Sequence, residues 1–375
     1  MIKTWSYSEE YKKNRTKILS SIDKTLASGT LFFGKQLEAF ENNFIKINKA
    51  KYGLAVGSGT DALIISLKAL GIGKNNKDEV ITVSNTAIPT ASAIKSAGAT
   101  PIFVDIKNDY LIDPSKIKKL INKNTKAIIP VHLYGQSSNM EEIIKIAKKY
   151  KLKVIEDCAQ AQGASFKNKY VGNFGDFGCF SFYPTKILGA YGDGGFITTN
   201  SLKMFQISKR LRFYGIEQND KNNRFNNIYY SNEHGLNSRL DEIHSSILNI
   251  KIKQVKNNIS KRRKLANLYN RELSKTSLIL PKENLNCKHV YHLYTVYHPS
   301  RDKIIKALNK KKIKINIYYP FPIHKMKGYQ SKKKFKLKIT NRVYKGIFSL
   351  PLYPELKFSQ VKKITKILKQ ILSRL

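Results

Sequence analysis

Four short segments of this 375-residue chain carry side chains suited to polar chemistry. One is Cys179-Phe180-Ser181-Phe182-Tyr183-Pro184-Thr185-Lys186, followed by the glycine-dense Gly189-Ala190-Tyr191-Gly192-Asp193-Gly194-Gly195. A lysine on such a loop, just after a buried strand, can reach into a crevice. Desolvation there lowers its pKa and makes the amine nucleophilic. Most lysines in a chain this rich in them belong to the surface, and the surrounding glycines are what single out Lys186. A second segment is Val154-Ile155-Glu156-Asp157-Cys158-Ala159-Gln160. An acid closing a strand could hold a pyridinium nitrogen protonated and improve the ring as an electron sink; capping the next turn explains it equally. A third is Gly57-Ser58-Gly59-Thr60-Asp61, whose glycines, helix N-terminus and Thr60 hydroxyl suit a phosphate. It lacks the third glycine of a dinucleotide fingerprint and the lysine of a P-loop. A tight turn with Thr60 or Asp61 as N-cap accounts for it as well. The fourth, Gly235-Leu236-Asn237-Ser238-Arg239-Leu240-Asp241-Glu242, opens a helix, with Asn237 or Ser238 as candidate N-cap.

The elements that must position these groups follow from periodicity. Strands are expected at residues 52–56, 79–83, 101–104, 127–131, 153–156 and 180–182, with helical spacing at 61–70, 91–97 and 140–149. Strands alternating with helices predict a mostly parallel sheet covered on both faces. Ligands of such sheets bind beyond the carboxyl ends of the strands, and the chemistry-bearing segments lie there. After about Asp241 the pattern changes to a long helix over 240–273, strands at 292–297 and 314–318, and a final helix from Ser359. The expected division is a large α/β domain at 1–250 and a smaller α+β domain at 251–375. The Asn-rich residues 219–232 read as a loop.

The formal net charge of +42 raises the question of a polyanionic partner. The lysines are spread over the chain, with dense runs only at 310–312 and 332–334, and no nucleic-acid-binding signature accompanies them. They are read as scattered surface charge that would still attract an anionic substrate. Residues 1–10 lack an apolar h-region, and no run reaches about 18 apolar residues, so neither a secretory signal nor a membrane span is expected. Cys158, Cys179 and Cys287 have no metal-ligand spacing. Cys158 and Cys179 read as small buried hydrophobes, and His289 and His292 lack a third ligand. No metal is expected, and the cytoplasm is the expected compartment.

Together the segments resemble the DegT/DnrJ/EryC1/StrS family of sugar aminotransferases. The likeness runs through Phe33-Gly34-Lys35-Gln36-Leu37-Glu38-Ala39-Phe40-Glu41, residues 57–62, 101–105, 156–163, 181–195 and 237–242, to Tyr319-Pro320-Phe321-Pro322-Ile323-His324. The resemblance implies fold type I, pyridoxal 5'-phosphate, glutamate as amino donor, a keto nucleotide sugar as acceptor, and a homodimer with shared active sites. It implies Lys186 as the lysine that holds the cofactor and moves the proton, Asp157 at the pyridine nitrogen and Gln160 at the ring hydroxyl. Gly59, Thr60 and Ser181 would bind the cofactor phosphate, with Asn237 reaching the partner subunit's. Tyr319 and His324 lie where relatives meet substrate. Lysine rather than histidine at 186 argues against the family's dehydratases. Many relatives carry an aromatic residue where this chain has Ala87, which leaves open what stacks on the ring. That small residue favours amination at C-3 of a dTDP-linked 3-keto-6-deoxyhexose over amination of a 4-keto sugar. A catalytically silent regulatory relative is the reading from another class.

Overall fold

The computed structural model describes residues 1–216, 230–331 and 333–375. Its strands are β1 (Tyr52–Val56), β2 (Glu79–Val83), β3 (Thr100–Val104), β4 (Thr125–Ile128), β5 (Lys153–Asp157), β6 (Ser165–Phe166), β7 (Lys169–Tyr170), β8 (Phe177–Ser181), β9 (Gly195–Thr199), β10 (Cys287–Lys288), β11 (Tyr294–Tyr297) and β12 (Ile347–Leu350). Among the described residues, seven of them form the main sheet in the order β1-β9-β8-β5-β4-β2-β3. Only β9 runs against its neighbours, pairing antiparallel with β1 and β8. The other pairs are parallel.

Side-chain alternation assigns the two faces of the sheet. Leu54, Val56, Cys179 and Ile197 join one core with the helix Gly59–Ala69. Ala55, Phe180 and Phe196 join the other, with Phe40 and Phe44 of the helix Lys35–Asn48 and Leu248 of the helix Glu242–Lys251. Covering on both faces explains why Glu-Val-Ile-Thr-Val of β2 is buried throughout. A mostly parallel α/β sheet is thus what the sequence pattern implied. A smaller α+β unit packs β11 and β12, antiparallel, against the helices Val255–Leu273, Arg301–Lys310 and Phe358–Leu372, around Tyr269, Tyr294, Phe348 and Leu368. Ile2, from the other end of the chain, is buried in the same core.

The differences from expectation have local causes. The stretch expected as one helix over 240–273 begins at Glu242 and is interrupted by a 3-10 turn at Ile252–Gln254 before Val255–Leu273. That second helix gives Val255 and Ile259 to the large-sheet core and Leu265, Leu268 and Leu273 to the smaller one. The expected division at 250/251 therefore falls at the end of a helix, with the turn and second helix continuing directly from it. Residues 314–318 form no strand; they make only an isolated bridge between Asn316 and Ser349, after one from Ile313 to Ile2. Strand β9 begins at Gly195, in a glycine-dense stretch whose composition suits a loop rather than a strand. Residues 217–229 of the expected Asn-rich loop lie outside the described residues, as does Lys332. Of the loop's remainder, Ser231 bridges Ile216 and the Asn232 N–H donates to the Gly215 carbonyl at 3.0 Å. Lys333 pairs with Glu79, so that dense run is not purely free surface charge.

Candidate active site

The parallel strands and β1 bring their carboxyl ends to one edge of the sheet, and each end carries a chemical group. After β1, Ser58 caps the next helix by accepting the Asp61 N–H at 3.0 Å, in place of the expected Thr60 or Asp61. Gly59 then lies directly against β8: a Cβ on Gly59 would sit 2.7 Å from Ser181 Cβ. This contact sets the helix N-terminus, with Thr60, beside the Ser181 hydroxyl. The fourth segment buttresses the turn, since the Ser238 hydroxyl accepts the Gly57 N–H at 2.9 Å and donates to Asp61 Oδ2 at 2.8 Å. The N-cap there is Asp241, not Asn237 or Ser238. Glu242 is buried and accepts three N–H groups, from Gly34, Gln36 and Leu37, at the start of the helix Lys35–Asn48.

Lys186 hangs on a loop closed at both ends. Phe182 donates its N–H to the Gly194 carbonyl and accepts that of Ala190, each at 2.7 Å, and the Lys186 N–H donates to the Tyr183 carbonyl at 2.9 Å. Gln162 Nε2 bridges the Ser181 and Leu188 carbonyls at 2.6 and 3.4 Å. Lys186 as a whole is partly exposed, but its amine is buried and is pushed down to about 8, because that burial outweighs the opposing charge of Asp157. Asp157, at the end of β5, is buried. Its Oδ2 accepts the Thr90 hydroxyl at 2.8 Å and its Oδ1 accepts the Ala159 N–H at 3.1 Å. It therefore caps its own turn and still faces the cavity.

A cavity of about 360 Å³ unites Gly59, Thr60, Asp157, Gln160, Ser181, Lys186 and Tyr319. Gln160 is locked: its Oε1 accepts the Tyr134 N–H at 2.8 Å and its Nε2 donates to the Tyr319 hydroxyl at 2.9 Å. Two expected residues stand outside this lining. His324 is held by Ser84, whose Oγ lies 2.7 Å from Nδ1. Asn237 is exposed and bridges Phe213. Conversely, Thr4, Trp5, Thr90, Arg262 and His292 line the cavity although they lie outside the four segments that carry the chemistry in the sequence. His292 is buried, and burial with the nearby Lys186 and Arg262 charges holds its imidazole neutral. Thr90 sits on a helix whose spacing showed only packing, and Trp5 is some 180 residues from Lys186 in sequence, so no local pattern marks either.

His132, Glu156 and Cys158 cluster closely enough to suggest a metal. Their hydrogen bonds argue otherwise. His132 Nδ1 accepts the Ser138 N–H at 3.0 Å, so Nε2 carries the proton and donates to Glu156 at 3.0 Å. Glu156 also accepts the N–H groups of Gly172, Phe174 and Gly175. Burial pushes the Cys158 thiol well up, away from the thiolate a metal needs. Glu156, held by His132, pins the segment before β8 onto β5.

A nucleophilic amine, a carboxylate facing it and an anion cradle in one cavity narrow the chemistry, and the whole chain follows suit. Residues 12–369 match the sequence profile of the DegT/DnrJ/EryC1/StrS aminotransferase family. The chain belongs to that family. It is 39% identical over 380 residues to a dTDP-3-amino-3,4,6-trideoxy-alpha-D-glucose transaminase of Micromonospora megalomicea subsp. nigra, covering 99% of each chain. It is 38% identical to a protein of Geobacillus stearothermophilus described as a pleiotropic regulatory protein, over 96% of this chain and 95% of that one. Among solved structures, DesV of S. venezuelae in complex with a ketimine intermediate matches with a TM-score of 0.93 at 31% identity, over 99% of this chain and 98% of that one. The aminotransferase has the fold type I architecture and depends on pyridoxal phosphate, as its family does. Its cavity fits the group: the Gly59–Ser181 contact forms an anion cradle at a helix N-terminus, opposite a buried carboxylate with oxygen lone pairs to spare. No helix among the described residues is long and apolar enough to cross a membrane.

Proposed function

We propose that this aminotransferase moves the amino group of glutamate to C-3 of a dTDP-linked 3-keto-6-deoxyhexose. The observation that carries the reaction class is the one cavity that groups the Lys186 amine with Asp157 and with Gly59, Thr60 and Ser181, where burial holds the amine below its ordinary range. Bound pyridoxal phosphate supplies an electron sink for a carbanion at the donor's α-carbon. Gly59, Thr60 and Ser181 would hold its phosphate, Asp157 would keep the ring nitrogen protonated, and Gln160 would meet the ring hydroxyl. Lys186 Nζ would hold the cofactor and would move the proton at the donor's Cα. The acceptor assignment is supported by Ala87 in the cavity wall and by the dTDP-3-amino sugar transaminase at 39% identity.

The active unit in this proposal is a homodimer. Phe32, Phe33 and Tyr214 are substantially exposed, and the Arg239 guanidinium lies 4.2 Å from the Phe32 ring centroid and 5.2 Å from that of Phe213. Asn237 bridges Phe213 beside this aromatic patch and does not line the cavity of its own subunit, which supports a role toward a neighbouring subunit's phosphate. Three free thiols, two of them buried, suit a reducing compartment and hence the cytoplasm.

The decisive experiment is the absorbance spectrum of the purified protein before and after glutamate, with Lys186→Ala in parallel. A visible band that glutamate abolishes in the wild type, and that is absent from the variant, is expected. A panel of 3-keto and 4-keto nucleotide sugars then separates the acceptors; amination of 4-keto sugars alone would overturn the C-3 assignment. A protein without such a band after added pyridoxal phosphate would fit the regulatory reading, which the Geobacillus relative's description keeps in view.

A further inference from the structure

Trp5 is the only tryptophan of the chain, and it stands in the cavity wall with Thr4 beside it. None of the cofactor chemistry above uses either residue. The segment that carries them is fixed at its start. Ile2 is buried in the smaller core, its N–H donates to the Lys312 carbonyl at 2.9 Å, and its carbonyl accepts the Lys314 N–H at 2.9 Å. The Asn316 side-chain amide then donates both to Thr4 Oγ1 at 3.2 Å and to the Tyr318 hydroxyl at 2.9 Å. One amide thereby sets two cavity-lining hydroxyl residues into a common wall.

The indole itself is anchored from behind. It packs against the smaller core, and its ring lies 5.3 Å from that of Tyr7, which in turn lies 5.8 Å from Tyr191 on the glycine loop after Lys186. Yet Trp5 is only half-buried, and the cavity is where part of it opens. A tryptophan serving the core alone would be covered on both faces. An aromatic face flanked by two hydroxyls is the surface that suits a pyranose, whose C–H face lies on the ring while its hydroxyls meet the flanking groups.

We propose that Trp5, held by the Ile2 and Asn316 links, is the platform on which the hexose of the acceptor lies, and that it selects the acceptor and not the amino donor. This proposal rests on the sugar-transaminase reading above. Its test uses the holoenzyme and two readouts. Titration with a dTDP-3-amino-3,6-dideoxyhexose is expected to change the emission of the single tryptophan, whereas dTDP alone is not. In Trp5→Ala, the KM for the keto sugar is expected to rise about tenfold, the size of one lost aromatic contact, while the glutamate half-reaction keeps its rate. Trp5→Phe is expected to recover most of the loss. An unchanged keto-sugar KM in Trp5→Ala, with the glutamate half-reaction intact, would overturn the proposal. A glutamate half-reaction lost in Trp5→Ala and not restored in Trp5→Phe would overturn it too, by assigning Trp5 to the frame of the site. If the wild type itself is inert toward glutamate, the transaminase reading falls and carries this one with it.

Discussion

Lys186 is under two opposed influences, burial lowering its pKa and Asp157 raising it. The outcome, about 8, sets a window that can be measured. The folded value lies below the ordinary 10.5, so between the two the folded protein binds fewer protons than the unfolded chain. Lys186 therefore costs the fold stability below that window, and the cost is lifted as pH rises through it. Cofactor uptake by the cofactor-free protein should rise with pH to a plateau, with its midpoint near 8, followed by absorbance after stopped-flow mixing. Asp157→Asn removes the charge that favours the ammonium, so that midpoint should move to lower pH; an upward shift would contradict the electrostatic account. At this scale the sequence was informative wherever a residue closed a strand, as Asp157 and Ser181 do. It was silent on Thr90, which holds the Asp157 carboxylate from a helix. Its role depends on a contact across 67 positions that no local spacing reveals.

Among the elements, the turn from β1 into the helix Gly59–Ala69 carries the most constraint. Its glycine meets β8 with no room for a methyl group: the nearest atom would be Ser181 Cβ at 2.7 Å. Gly59→Ala should push the helix start off Ser181 and weaken cofactor binding about tenfold, roughly 1.4 kcal/mol, as read by equilibrium dialysis. Far-UV circular dichroism should be nearly unchanged, because the helix keeps its Ser58 cap. Sequence periodicity found the parallel strands because a sheet covered on both faces demands continuous apolar runs. It missed β9 because glycine at its start reads as loop. It also extended the helix 240–273 through residues 252–254, where apolar spacing continues across a tighter turn. The strand expected at 314–318 has the right composition, but Ile2 and Ser349 engage only single residues of the stretch and its neighbour Ile313.

On the scale of the molecule, the charge of +42 acts on encounter rather than on fold. The kcat/KM for an anionic nucleotide sugar should fall severalfold as salt rises from about 20 to about 200 mM, with kcat little changed, because screening shortens the reach of the field. The proposed homodimer makes a separate prediction. Lys186→Ala and Asn237→Ala proteins, each impaired alone, should regain activity when co-refolded, since a hybrid pairs one doubly altered site with one intact site. Statistical mixing gives about a quarter of the wild-type sites, and sites built within single subunits would give no recovery. A last consequence belongs to the helix Val255–Leu273, which lodges its first turns in one hydrophobic core and its later turns in the other. Neither core can melt while leaving that rod intact in the other. Heating the cofactor-free protein should therefore melt both cores together, with coincident near-UV and far-UV circular dichroism curves, and a helix-breaking proline at Lys261 should separate them into two steps.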